Sequence, residues 1–63
     1  MKKGDRVKIY QDPITQEKPE GEAVLREFCG RAGVFEGIEY QHWFVEFVNE
    51  PGATYFRKVR AVK

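Results

Sequence analysis

The plainest pattern in the chain is the alternation over His42–Val48, where Trp43, Val45 and Phe47 take every second position and His42 and Glu46 lie between them. A period of two built from aromatic and β-branched residues belongs to a strand with one buried face. It predicts a central strand, with the only Trp anchoring the core. The stretch Asp5–Tyr10 repeats the pattern: Val7 and Ile9 fall on one side, and Arg6, Lys8 and Tyr10 on the other. This is a first strand with an apolar and a charged face, entered through a turn at Gly4-Asp5.

Between these two strands the pattern is less regular. Gln11–Gly21 is polar, aperiodic and interrupted by Pro13 and Pro19, which predicts a long loop after the first strand. Ile14 is its one large apolar residue and is expected to fold back over the core. Glu22–Phe28 fits two templates. As a helix it has Pro19 at the first turn, Val24 and Phe28 on one face, Glu22 four residues before Arg26, and Gly30 as its stop. As a strand it turns Ala23 and Leu25 inward and Arg26 outward. The short candidate length, the Gly21 at its start and the need of the flanking strands for a partner favour the strand.

Cys29–Gly33 reads as a turn. Val34–Gln41 either extends a flanking strand or forms a hairpin loop, with Gly37 marking a bend. Asn49-Glu50-Pro51-Gly52 closes a hairpin, because Pro51 pre-sets φ and Gly52 accepts a positive one. Ala53–Phe56 returns as a strand. Val59 and Val62 then tie the basic C-terminal segment to the core through a tight turn and a short last strand. The expected architecture is all-β, a small five-stranded barrel spanning residues 1–63 as a single domain.

Composition narrows the function classes. A chain of 63 residues buries only about 60% of its unfolded surface, and its nine aromatic rings offset that small core. Cys29 is the only cysteine, so an internal disulfide and a cysteine-based zinc site are excluded. No signal-type apolar run opens the chain, so the expected compartment is cytoplasmic. The apolar run Trp43-Phe44-Val45 is far short of the roughly 20 residues of a membrane span. Net charge is +1, but it is unevenly spread: residues 32–56 carry Glu36, Glu39, Glu46 and Glu50 with no cation, and residues 57–63 carry Arg57, Lys58, Arg60 and Lys63 with no acid. Such polarity either guides a partner or pairs the end of the chain with its middle; the second is expected here.

Candidate chemistry is sparse. The chain has no serine, one histidine and no spacing of His, Cys or carboxylates that suits a metal, so neither an enzyme nor a bound cofactor is expected. His42 reads as a solvated polar residue. A binding surface is the better-founded expectation. Arg6, Lys8, Tyr10, Arg26, Phe44 and Tyr55 fall on faces that point away from the core, and Arg57, Lys58 and Arg60 add a basic segment. Basic residues interleaved with aromatics hold either an acidic or Pro-rich protein segment or a nucleic-acid backbone. An ordinary solvated sheet face has the same composition. Of the binding roles, a protein segment is the leading expectation and nucleic acid the alternative. A third is a structural subunit docked by an edge strand, the chain being a monomer or weak oligomer.

The order strand, long loop, strand, hairpin, strand, tight turn, last strand is similar to that of SH3-like barrels. Gly4-Asp5-Arg6-Val7-Lys8-Ile9 resembles the opening of KOW- and Tudor-type small barrels. Trp43-Phe44-Val45-Glu46-Phe47 and Tyr55-Phe56-Arg57-Lys58-Val59 resemble their third and fourth strands. The resemblance implies a five-stranded SH3-like barrel. The Gly-rich loop of KOW segments and the Ala-Leu-Tyr-Asp-Tyr signature of peptide-binding SH3 domains are both missing. The segment from Asp12-Pro13-Ile14-Thr15 to Gly21-Glu22-Ala23, followed by the Trp strand, resembles small prokaryotic or phage-associated proteins of unassigned activity.

Overall fold

The structure, a computed structural model, describes residues 1–12 and 15–60. Four antiparallel strands run as a meander: β1 (Arg6–Asp12), β2 (Glu17–Phe35), β3 (Ile38–Phe47) and β4 (Tyr55–Arg60). Their spatial order is β1-β2-β3-β4, and no helix occurs among the described residues. The sheet curls into a half-barrel whose concave side holds the core. Directly paired residues share a face, so the register builds apolar rows across the sheet. One row is Val7, Ala23 and Phe47; another is Leu25, Val45 and Tyr55. Ile9, Trp43 and Val59 complete the buried cluster, with Val7 and Tyr55 half-buried against it. Leu25 and Val45 are wholly buried, each contributing about 1.5–3 kcal/mol of hydrophobic stabilisation.

The predicted alternation in the first strand and in the Trp43 strand is present as read. The predicted long loop at 11–21 is not. β1 continues to Asp12 and β2 begins at Glu17, so most of that stretch is paired strand. The backbone N–H of Gln16 donates to the Asp12 carbonyl at 2.9 Å, and the N–H of Thr15 donates to Asp12 Oδ1 at 3.3 Å. Ile14, expected over the core, lies outside the described residues. Pro19 sits opposite Tyr10, beyond the point where β3 joins β2 at Phe47↔Ala23. There β2 has a neighbour on one side only, the setting in which a strand accommodates proline.

Residues 22–28 are strand, not helix. The turn predicted at Cys29–Gly33 is absent, because β2 runs on to Phe35. Its register with β3 skips Arg26, Cys29 and Ala32, giving three bulges at three-residue intervals. Each bulge sets two residues against one, bending the strand and raising its twist. Gly30 at φ +121° and Gly33 at φ +150° supply backbone conformations that other residues rarely adopt. The glycines that suggested a reversal therefore curve a continuous strand. The reversal itself comes at Glu36-Gly37, with φ +50° and +79°, a two-residue turn matched to the strand twist.

β4 also differs from expectation. The strand predicted at Ala53–Phe56 starts at Tyr55 and runs without interruption to Arg60, so Val59 is buried inside it and no tight turn precedes it. The expected last strand with Val62 falls at residues 61–63, outside those described. The structure thus describes four strands. The hairpin at 49–52 is present, with Gly52 at φ +94° and its N–H donating to Glu46 Oε2 at 2.8 Å.

Candidate functional site

Curling the sheet brings its two outer strands toward each other without joining them. Among the described residues β1 pairs only with β2, and β4 only with β3. The gap between them is a groove of about 390 Å³. Val7, Ile9 and Val59 line it from the core side, and Arg6, Lys8, Lys58 and Arg60 line it from the outer face. Tyr10, Gln16, Met1 and Asp5 complete the lining. The split follows from strand alternation: in β1 and β4 the apolar residues turn inward and the cations between them turn out.

Backbone groups face this groove too. The N–H of Leu25 donates to the carbonyl of Asp5 at 2.9 Å, which places these two residues at a hydrogen-bonding pair of the ladder, with the Asp5 N–H turned instead to the Lys2 carbonyl at 3.1 Å. In an antiparallel ladder such pairs alternate with pairs whose N–H and C=O groups point away. With Val7 opposite Ala23, the outward-pointing groups of β1 are those of Arg6 and Lys8. Among the described residues the charge of the groove is lopsided, four cations against the single carboxylate of Asp5. Arg6 is neutralised by Glu22 at 2.9 Å. Lys8 and Lys58 are exposed and have no ion pair among the described residues.

Five of the nine sequence-predicted site residues, Arg6, Lys8, Tyr10, Lys58 and Arg60, therefore converge on one groove. The other four do not. Arg26, a bulged residue of β2, donates through Nε to Glu46 Oε1 at 2.7 Å. The Gly52 N–H on the other oxygen and the Arg26 guanidinium together hold the Glu46 carboxyl below the ordinary glutamate range. Phe44 lies on the convex face, half-buried under Phe56 with ring centres 5.7 Å apart.

Tyr55, expected to point outward, faces the concave side and packs on the core. The cause is its register partner, the buried Val45. Its hydroxyl donates to Glu50 Oε2 at 2.7 Å, and that carboxylate raises the Tyr55 pKa above the usual phenol value. Arg57 lies beside it, stacked 5.8 Å from the Phe47 ring centre and 5.4 Å from that of Tyr55. The end of the chain was expected to pair with the acidic middle, but Arg57 pairs with Glu20 of β2.

Sequence reasoning missed Val7, Ile9 and Val59 as groove residues, having assigned them only to the core. The convex aromatic row was missed as well: His42 lies 4.7 Å from Phe56, which is about half exposed. Cys29 is a free, exposed thiol, donating weakly to the Glu27 carbonyl at 3.6 Å. Among the described residues no three His, Cys, Asp or Glu side chains gather as a metal site would need. Nor, among the described residues, is any helix long and apolar enough to cross a membrane. Set against protein-family models, characterised proteins and solved structures, the chain matches none of them.

Proposed function

We propose that this chain is a non-enzymatic interaction module that holds an extended segment of a partner protein in the groove between β1 and β4. The observation that carries this reading is the facing of two strand edges, unpaired on that side among the described residues, across a cleft with an apolar floor. An open strand edge offers a ladder of donors and acceptors that suits a peptide backbone. The volume of about 390 Å³ falls within the roughly 300–1,000 Å³ of ligand clefts. In this reading the architecture is an SH3-like barrel, and the groove marks the side at which a fifth strand would close it. The module works in the cytoplasm.

One observation favours a second reading. Phe56 stands half exposed between His42 and Phe44 on the convex face, with Lys58 paired opposite His42. Rings beside a cation form a stacking surface for single-stranded nucleic acid. The net charge of +1 weakens that case, since phosphate neutralisation dominates such binding.

An NMR titration of the labelled chain with peptide and oligonucleotide pools separates the two. The protein reading expects shifts at Val7–Ile9 and Lys58–Arg60 with peptides. Shifts confined to His42, Phe44 and Phe56, produced by oligonucleotides and lost at high salt, would replace it with the nucleic-acid reading.

A further inference from the structure

The two faces of the groove specify what kind of segment fits, and the following rests on the groove reading above. We infer that the occupant is an acidic segment, alternating acidic and apolar residues, that adds to the open edge of β1 as a further strand. Three observations converge. The backbone N–H and C=O of Arg6 and Lys8 point out of the sheet toward the groove, as fixed by the Leu25–Asp5 hydrogen bond and the β1–β2 register. A strand laid along them has side chains alternating between two faces. On the inner face it meets Val7, Ile9 and Val59, and on the outer face Arg6, Lys8, Lys58 and Arg60.

Alternation in the host thus imposes alternation on the guest: apolar residues inward, carboxylates outward. Charge complementarity selects acid over base because Lys8 and Lys58 carry no ion pair among the described residues. A basic guest would set like charges across the groove. Four guest residues, about 13 Å of strand, suffice to pair with Arg6 and Lys8 and reach both faces.

The test uses the full chain and three blocked hexapeptides: alternating glutamate and valine, alternating lysine and valine, and the glutamate peptide N-methylated on the backbone. A single-stranded oligonucleotide serves as a fourth probe. The glutamate–valine peptide is expected to bind at least about tenfold more tightly than either other peptide. The amides of Arg6 and Lys8 should gain protection from hydrogen exchange on binding. The double variant K8E/K58E should reverse the preference toward the lysine peptide. Both positions are exposed, and unchanged Trp43 fluorescence verifies that the variant folds.

Equal binding of acidic and basic peptides, or binding without protection at Arg6 and Lys8, overturns the inference. So does an oligonucleotide that binds more tightly than the acidic peptide and displaces it. If another peptide from a mixed pool shifts the groove residues, the acidic-strand inference falls and the groove reading stands. If no peptide shifts them at millimolar concentration, both fall.

Discussion

The guanidinium of Arg57 donates to both carboxylate oxygens of Glu20, through Nε at 3.0 Å and through its second terminal nitrogen at 3.2 Å, across 37 residues of chain. β2 and β4 are not neighbours in the sheet; β3 lies between them. The pair therefore spans the concave side and records how far the sheet curls. Glu20 reaches it because the β1–β2 register passes from Ile9↔Gly21 to Tyr10↔Pro19 and leaves Glu20 as the extra residue of a bulge. A bulge bends its strand locally and re-aims the side chain of the extra residue. Stacked on Phe47 and Tyr55, the Arg57 fork closes the curl at this end.

Arg57→Ala is expected to destabilise the domain by about 1–2 kcal/mol. That is more than an ordinary surface ion pair, because the bond is bidentate and the guanidinium also lies over two rings. Arg57→Lys should recover less than half of the loss, since an ammonium lacks the planar fork. Urea unfolding of both variants and of Glu20→Gln measures this. Additive effects of Arg57→Ala and Glu20→Gln would show that the two residues do not act as a pair.

Trp43 is 3% exposed, with its indole N–H donating to Gln41 Oε1 at 2.9 Å and the Phe28 ring set edgewise 5.3 Å away. Trp43→Ala should cost about 3–5 kcal/mol, a large part of the stability of so small a domain. Fluorescence of the native chain should be blue-shifted relative to free Trp and resist iodide quenching. Gln41→Ala should cost less, about 1–2 kcal/mol, through the unpaired indole N–H.

Glu46 gives stability a pH dependence of known sign. Its carboxylate takes the Gly52 N–H on one oxygen and Arg26 on the other, and its folded pKa is lowered. A lowered folded pKa contributes stability above the ordinary glutamate pKa, lost as pH falls through the folded value. Urea midpoints measured from pH 7 downward should fall through the acidic range. In Glu46→Gln that fall should be shallower. An identical slope in both would remove Glu46 from the acid transition.

The bulges of β2 require their glycines. A Cβ built on Gly30 or Gly33 meets nothing within 4 Å, so any cost of Gly→Ala there is conformational, not steric crowding by neighbours. With φ at +121° and +150°, each substitution should cost roughly 1–3 kcal/mol. Val34→Ala, at an exposed position on the same strand, should change stability by less than about 0.5 kcal/mol. Chemical denaturation of the three variants compares them directly. Comparable small effects in all three would mean that the strand straightens at no cost.

The inward positions Val7, Ile9, Ala23, Leu25, Trp43, Val45, Phe47 and Val59 are written in the sequence, because a period of two is a local property that fixes which side chains share a face. The cations of the groove rim are legible for the same reason. What only the tertiary structure decided are the features that depend on a partner strand. Pro19 argued for a loop, but the chain there needs backbone pairing on one side alone, which β1 provides through Tyr10. Gly30 and Gly33 argued for a turn, and pairing with β3 turned them into bulges. Tyr55 was assigned outward until Val45 set its register. Convergence of Arg6 and Lys8 with Lys58 and Arg60, about 50 residues further along the chain, follows from the curl of the whole sheet. Twist and bulges accumulate over four strands to set that curl, and no single stretch of sequence contains it.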